Sequence, residues 1–147
     1  MRRIILTTCL LVVATGLTPA VSATDVPGIL QGTWSAEKAE IDGNEASNVI
    51  GHKLSFASNR FEIRSKDGKS LYEGNVRTDP NAKPPAIDFE HTSGSLAMKV
   101  WRGIYRLDGD TLTICDNAPN LNKPRPTTFE WKAGIGDECV TFRRAKP

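Results

Sequence analysis

From residue 24 onward apolar and polar positions alternate with a period of two, the pattern of strands that bury one face. The alternation pairs Leu54 with Phe56, Phe61 with Ile63, Ile87 with Phe89, Leu112 with Ile114, Phe129 with Trp131 and Val140 with Phe142. Leu96, Met98 and Val100 form a longer series. Together they predict nine strands, over 31–41, 53–57, 60–65, 70–77, 86–91, 96–107, 111–115, 127–132 and 139–143. The breaks carry turn chemistry: Asp42-Gly43-Asn44, Ser58-Asn59, Asp67-Gly68, Asp79-Pro80-Asn81, Ser93-Gly94 and Asp108-Gly109. Gly, Asn and Asp favour these turns because they tolerate positive φ. Residues 45–51 resist the strand pattern and read as a helical turn, while Pro119, Pro124 and Pro126 mark a long loop over 116–126.

Strands that are apolar on one side must close around that side, and no amphipathic helix is present to cover a flat sheet. The predicted fold is therefore all-β, a small antiparallel up-and-down barrel of eight or nine short strands formed by residues 24–147. Phe56, Phe61 and Ile63 converge in its interior with Phe89 and with Met98, Val100 and Ile104 of the long central strand. Ile114, Phe129 and Trp131 complete the inward set. A barrel mouth is a usual ligand position, so these ten residues are the candidate site for a small apolar molecule. The competing reading is a core that its own bulky side chains fill. On that reading the protein acts through its outer surface, where Trp101 and Tyr105, on the opposite parity from Val100, form a candidate patch for a protein partner. Gly103, mid-strand, marks a bulge or bend.

The N-terminus changes the picture of compartment. Arg2-Arg3 precedes an uncharged apolar stretch over 4–17, and Thr18-Pro19-Ala20-Val21-Ser22-Ala23 supplies a small-residue cleavage site, so residues 1–23 read as a signal peptide. Export to the periplasm or beyond is the expectation, without a membrane anchor after cleavage, because the stretch is shorter than the roughly 20 residues a membrane helix needs. Cys9 leaves with the signal peptide, and Cys115 and Cys139 remain in an oxidising compartment. Whether they pair stays open: both point to one face, but an intervening strand at 127–132 would hold them apart.

Charge argues against nucleic acid as a partner. Removing Arg2 and Arg3 from the 19 basic residues leaves a chain balanced against its 17 acidic ones. The motifs for chemistry are equally spare. There is no P-loop, Gly-x-Gly-x-x-Gly or Gly-x-Ser-x-Gly, so no cofactor is implied. His52 and His91 have no metal-ligand spacing to the cysteines and read as surface residues. Asp88 and Glu90 share a face, yet Ile87 and Phe89 take the inward positions, which leaves both carboxylates in solvent and makes a catalytic pair the weakest reading. The protein is read as non-catalytic.

Several segments resemble, in order, those of an uncharacterised lipocalin-like domain family abundant in planctomycete-type bacteria. They are Gly32-Thr33-Trp34, Pro85-Ala86-Ile87-Asp88-Phe89, the run from Gly103 to Cys115, and Arg125-Pro126-Thr127-Thr128-Phe129. The resemblance implies an exported β-barrel domain of a family without an established activity. It also implies structural roles for Gly32 and Trp34, with Trp34 plugging the closed end of the barrel. An arginine of the last strand, Arg143 or its neighbour Arg144, would pack across the indole. Cys139 departs from the family pattern, so the resemblance does not vouch for a disulfide.

Overall fold

Short strands joined by tight turns pair most readily with their neighbours in sequence, since that pairing closes the smallest loops. The computed structural model describes residues 26–130 and 132–146. The expected signal peptide, with Cys9, and Trp131 lie outside the described residues. Nine strands form one antiparallel sheet: β1 (Gly32–Ile41), β2 (Asn44–Glu45), β3 (Lys53–Ala57), β4 (Arg60–Arg64), β5 (Ser70–Asp79), β6 (Ala86–His91), β7 (Val100–Asp108), β8 (Thr111–Asp116) and β9 (Glu138–Arg144). Neighbours in the chain pair from β3 through β9, and β9 returns to β1, which closes an eight-stranded up-and-down barrel. The two-residue β2 folds back on the end of β1 outside that circuit. A register shift between Ala36 and Lys38 bends β1 so that it serves both β3 and β9.

In the segment expected as a helical turn, residues 47–51 are a run of turns after β2, with Val49 N–H donating to Ala46 O and His52 N–H to Val49 O. Three expectations about strands fail. Residues 127–130 and 132 are not in a strand; they follow the prolines at 124 and 126 in the loop that runs from β8 to β9. With that strand gone, β8 and β9 pair directly and Cys115 faces Cys139 across the ladder. Their sulfurs are joined, 2.06 Å apart, closing a loop with a sequence separation of 24. The central strand begins at Val100 rather than at 96: Gly94 (φ 69°) and Met98 (φ 67°) hold residues 92–99 in a turn.

The third failure is one of parity. In β7 the odd positions Trp101, Gly103, Tyr105 and Leu107 face the interior, and Trp101 and Tyr105 are 8% and 6% exposed. Arg102 and Arg106 occupy the even positions with both side chains exposed, Arg106 lying 4.8 Å over the Phe129 ring, because a charge buried in the core without a partner is costly. Val100 and Ile104 follow them outward. Ile104 is covered there by Phe129 and the disulfide, in a small apolar cluster beneath the 117–137 loop and separate from the main core. Met98 is 85% exposed. Of the ten residues expected inside, Met98, Val100, Ile104 and Phe129 are therefore outside, and the patch expected of Trp101 and Tyr105 does not exist on the surface.

The ends of the barrel differ. At the end where β1 starts and β9 stops, the 3-10 turn Gly28–Leu30 crosses the opening and seats Leu30 in the core, fully buried. Trp34 is also fully buried there, and its Nε1 donates to Leu30 O at 2.9 Å. Arg144, not Arg143, lies over the indole, its guanidinium carbon 4.1 Å from the ring centroid. The same guanidinium donates to Ile29 O at 2.6 Å and to Gln31 O at 3.1 Å. Arg143 is on the outward parity and pairs with Glu37. Gly32, beside Trp34, has φ 104°, a conformation that favours glycine.

Candidate functional site

The opposite end of the barrel is open. There β1, β4, β6 and β8 finish while β3, β5, β7 and β9 begin, and side chains from the ends of β1, β4, β5, β7 and β9 surround the mouth. A cavity of about 400 Å³ occupies it. Its wall is mostly apolar and aromatic: Ile63 of β4, Tyr72 of β5, Leu96 of the β6–β7 turn, Trp101 of β7, and Val140 and Phe142 of β9. Ile41, Val49 and Ala118 close the sides, and Asn48, His52 and Glu138 supply the polar atoms. Beneath it the interior is packed solid by Phe56, Phe61, Phe89 and Ile114, all buried.

Of the nine described residues expected to line a ligand site, Ile63 alone is on this wall. Phe56, Phe61, Phe89 and Ile114 form the floor beneath it instead. Leu96, Val140 and Phe142 stand on apolar faces that the alternation marks, though outside the expected ten, while Leu71, Tyr72 and Trp101 escape the pattern for two reasons. Tyr72 and Leu71 fall in a strand whose polar composition hides its period, and Trp101 was assigned to the wrong face. The signal that could have found Trp101 is the position of Arg102 and Arg106, which label the outward face of β7 more firmly than Val100 labels the inward one.

A connected set of rings lies between wall and floor. Phe89 meets Phe61 edge-on at 4.9 Å between centroids, and Tyr72 meets Trp101 at 5.0 Å. His91 sits among them, 4.2 Å from Trp101, 5.4 Å from Phe61 and 5.7 Å from Tyr72. Expected at the surface, it is 1% exposed because β6 turns it inward on the parity of Ile87 and Phe89. Burial among the rings lowers its pKa and favours the neutral imidazole. Its Nε2 has no hydrogen-bond partner among the described residues. His52 is half-buried at the rim, and burial lowers its pKa too.

Two carboxyl groups stand on the adjoining wall. Asp116 ends β8, Glu138 begins β9, and the two are directly paired across the ladder. Both share the inward parity, of Ile114 and of Val140 respectively. Asp116 is 8% exposed and accepts a hydrogen bond from Ala118 N–H at 2.8 Å. Its carboxyl is held well above the usual range, first by burial, then by the negative charge of Glu138. Burial raises Glu138 as well. Among the described residues no lysine, arginine or histidine forms a salt bridge with either.

The outward carboxylates of β6 are differently placed. Asp88 receives Arg125 at 2.6 Å and 3.2 Å, a two-point contact that ties the β8–β9 loop to the barrel, and Glu90 pairs with Arg77 at 3.3 Å. Both are engaged on the outer surface, away from the cavity. Among the described residues no group of three or more His, Cys, Asp or Glu side chains is arranged to hold a metal ion, and no helix is long and apolar enough to cross a membrane.

Comparison of the chain with protein-family models, with curated proteins and with solved structures finds no match.

Proposed function

We propose that this protein is an exported, lipocalin-like β-barrel that binds a small molecule in the open mouth of the barrel. The observation that carries the reading is the asymmetry of the two ends. One is plugged by Leu30, Trp34 and Arg144, while the other holds a cavity of about 400 Å³ with an aromatic and aliphatic wall. A cavity of that size falls within the range of small-molecule pockets, and its few polar groups are placed to orient what enters. Leu71 and Tyr72 are exposed at the rim and give an apolar approach to it. Binding, rather than reaction, also suits a site whose outward carboxylates Asp88 and Glu90 are tied up in ion pairs on the other side of the sheet. The sequence resemblance to a lipocalin-like family agrees with this reading.

The test is titration with an apolar fluorescent dye, combined with native mass spectrometry of gently purified protein before and after denaturation. Uptake of one dye per chain is expected. Ala118→Trp and Val49→Trp, which place an indole in the cavity from its partly buried sides, should each weaken uptake at least about tenfold while thermal unfolding stays cooperative. Unchanged uptake in the folded variants, or none in the parent protein, overturns the proposal.

A further inference from the structure

An apolar cavity would accept any greasy molecule of the right size, but this one has a charge requirement that its own residues leave unmet. We propose that the mouth of the barrel is built for an organic cation, a flat apolar body against Trp101 and Tyr72 with a protonated amine directed at Glu138 and Asp116. The inference rests on the reading of the mouth as a small-molecule site and names the chemical class of its occupant.

Four observations converge. First, the carboxyl groups form the only directly cross-paired acidic couple on the inward face among the described residues, and Glu138 itself lines the cavity. Second, among the described residues neither forms a salt bridge, and every salt bridge there is made by other acids. Two acids placed side by side in a poorly solvated wall repel each other, and an incoming ammonium relieves that repulsion while gaining charge-assisted hydrogen bonds. Third, the facing wall is aromatic, with Trp101 and Tyr72 5.0 Å apart between centroids, and ring faces attract cations. Fourth, His91 packs against both of these rings at 1% exposure, with its Nε2 unpartnered among the described residues, so the layer directly beneath the cavity wall carries an unmatched polar atom.

The other charged groups near the mouth do not cancel the field. Asp137 adjoins Glu138 and adds negative charge to Asp116. Lys123 and Asp42 act on Asp137 with opposite signs. His52 and His91 are both driven toward the neutral form by burial. Burial likewise raises Asp116, Glu138 and Asp137, so the mouth holds acids whose negative charge an incoming ammonium would draw out, and it offers an anionic ligand no counter-charge.

Three probes on one indole scaffold separate charge from the apolar body: tryptamine, 3-ethylindole and indole-3-propionate, titrated calorimetrically into the full-length folded protein at about pH 8, where the amine is protonated and the acid ionised. Tryptamine is expected to bind roughly tenfold or more tighter than 3-ethylindole, with indole-3-propionate weakest. Glu138→Gln and Asp116→Asn should bring tryptamine down to the level of 3-ethylindole and leave 3-ethylindole unchanged. Equal binding of tryptamine and 3-ethylindole, preference for the acid, or selectivity that survives both substitutions overturns the cation assignment and leaves the cavity reading standing. Binding of the apolar dye but of none of the three indoles does the same. Failure of the dye and all three probes overturns both.

Discussion

Arg144 and Arg143 are adjacent in sequence and opposite in consequence. Arg144 covers the Trp34 ring and satisfies two carbonyls of the plug, so Arg144→Ala leaves Ile29 O and Gln31 O without that donor and uncovers the indole. A loss of about 1–3 kcal/mol is expected in denaturant unfolding. Arg143→Ala removes only an exposed ion pair with Glu37 and should change stability by less than about 0.5 kcal/mol. His91 carries a pH dependence whose sign follows from its lowered pKa. The folded protein binds the imidazole proton less readily than the unfolded chain, so the stability this group allows is complete above its ordinary value and is lost as pH falls below it. His91→Phe should therefore gain on the parent protein as pH drops from about 7 to about 5, measured by unfolding at each pH. Asp116 has the reverse sign. Its raised pKa makes the folded state the better proton binder, so stability declines as pH rises through and above its ordinary value, and Asp116→Asn should unfold later than the parent at neutral pH. An earlier midpoint would show that its hydrogen bond to Ala118 outweighs the cost of its burial.

Among the elements, the loop over 117–137 depends most on contacts outside the regular ladder. It is held at its base by the Cys115–Cys139 bridge between β8 and β9, and along its length by Arg125, which reaches Asp88 and also donates to Gly103 O at 2.6 Å and Ile87 O at 3.2 Å. Replacing both cysteines by alanine is expected to cost about 2–4 kcal/mol, read as a lowered unfolding midpoint. Arg125→Ala should speed proteolytic cleavage within the loop while the barrel strands stay protected from hydrogen exchange. A closed sheet of short strands also needs points where backbones approach closely. At Gly74 an added Cβ would collide with Glu90 O of the neighbouring strand, and at Gly103 it would meet Cys115 O at 2.9 Å and the Asp116 Cβ at 3.0 Å. The alternation marks the strands but not these contacts, which arise only when β5 meets β6 and β7 meets β8.

For the whole molecule, the barrel divides into a plugged end and an open end, and the proposed binding site lies at the open one. The interior is neither uniformly filled nor uniformly hollow. Phe56, Phe61 and Phe89 pack its middle, and the cavity is confined to the mouth, so substitutions at the two ends should separate stability from binding. Trp34→Phe, at the closed end, loses the hydrogen bond to Leu30 O and the contact with Arg144, and should lower the unfolding midpoint without changing the affinity of dye for the remaining folded protein. Leu71→Ser, at the exposed rim, should do the opposite: binding falls and unfolding stays where it is.

The residues alone determined the all-β class and most strand positions, because period-two alternation and Gly, Asn and Asp turns are local properties of the chain. Residues 53–57 and 86–91 are strands to the residue, and the order from β3 to β8 follows from short connections. The face of β7 was also written there, in Arg102 and Arg106, but a competing apolar series through Met98 and Val100 masked it; only pairing with β6, where Phe89 meets Trp101, decides the matter. Tertiary structure alone decided the rest. Asp116 and Glu138 become a pair because β8 and β9 meet without an intervening strand, and His91 becomes buried because the barrel closes over it. The mouth is assembled from the ends of separate strands and the turns between them, and no local pattern records which strand ends will share a space.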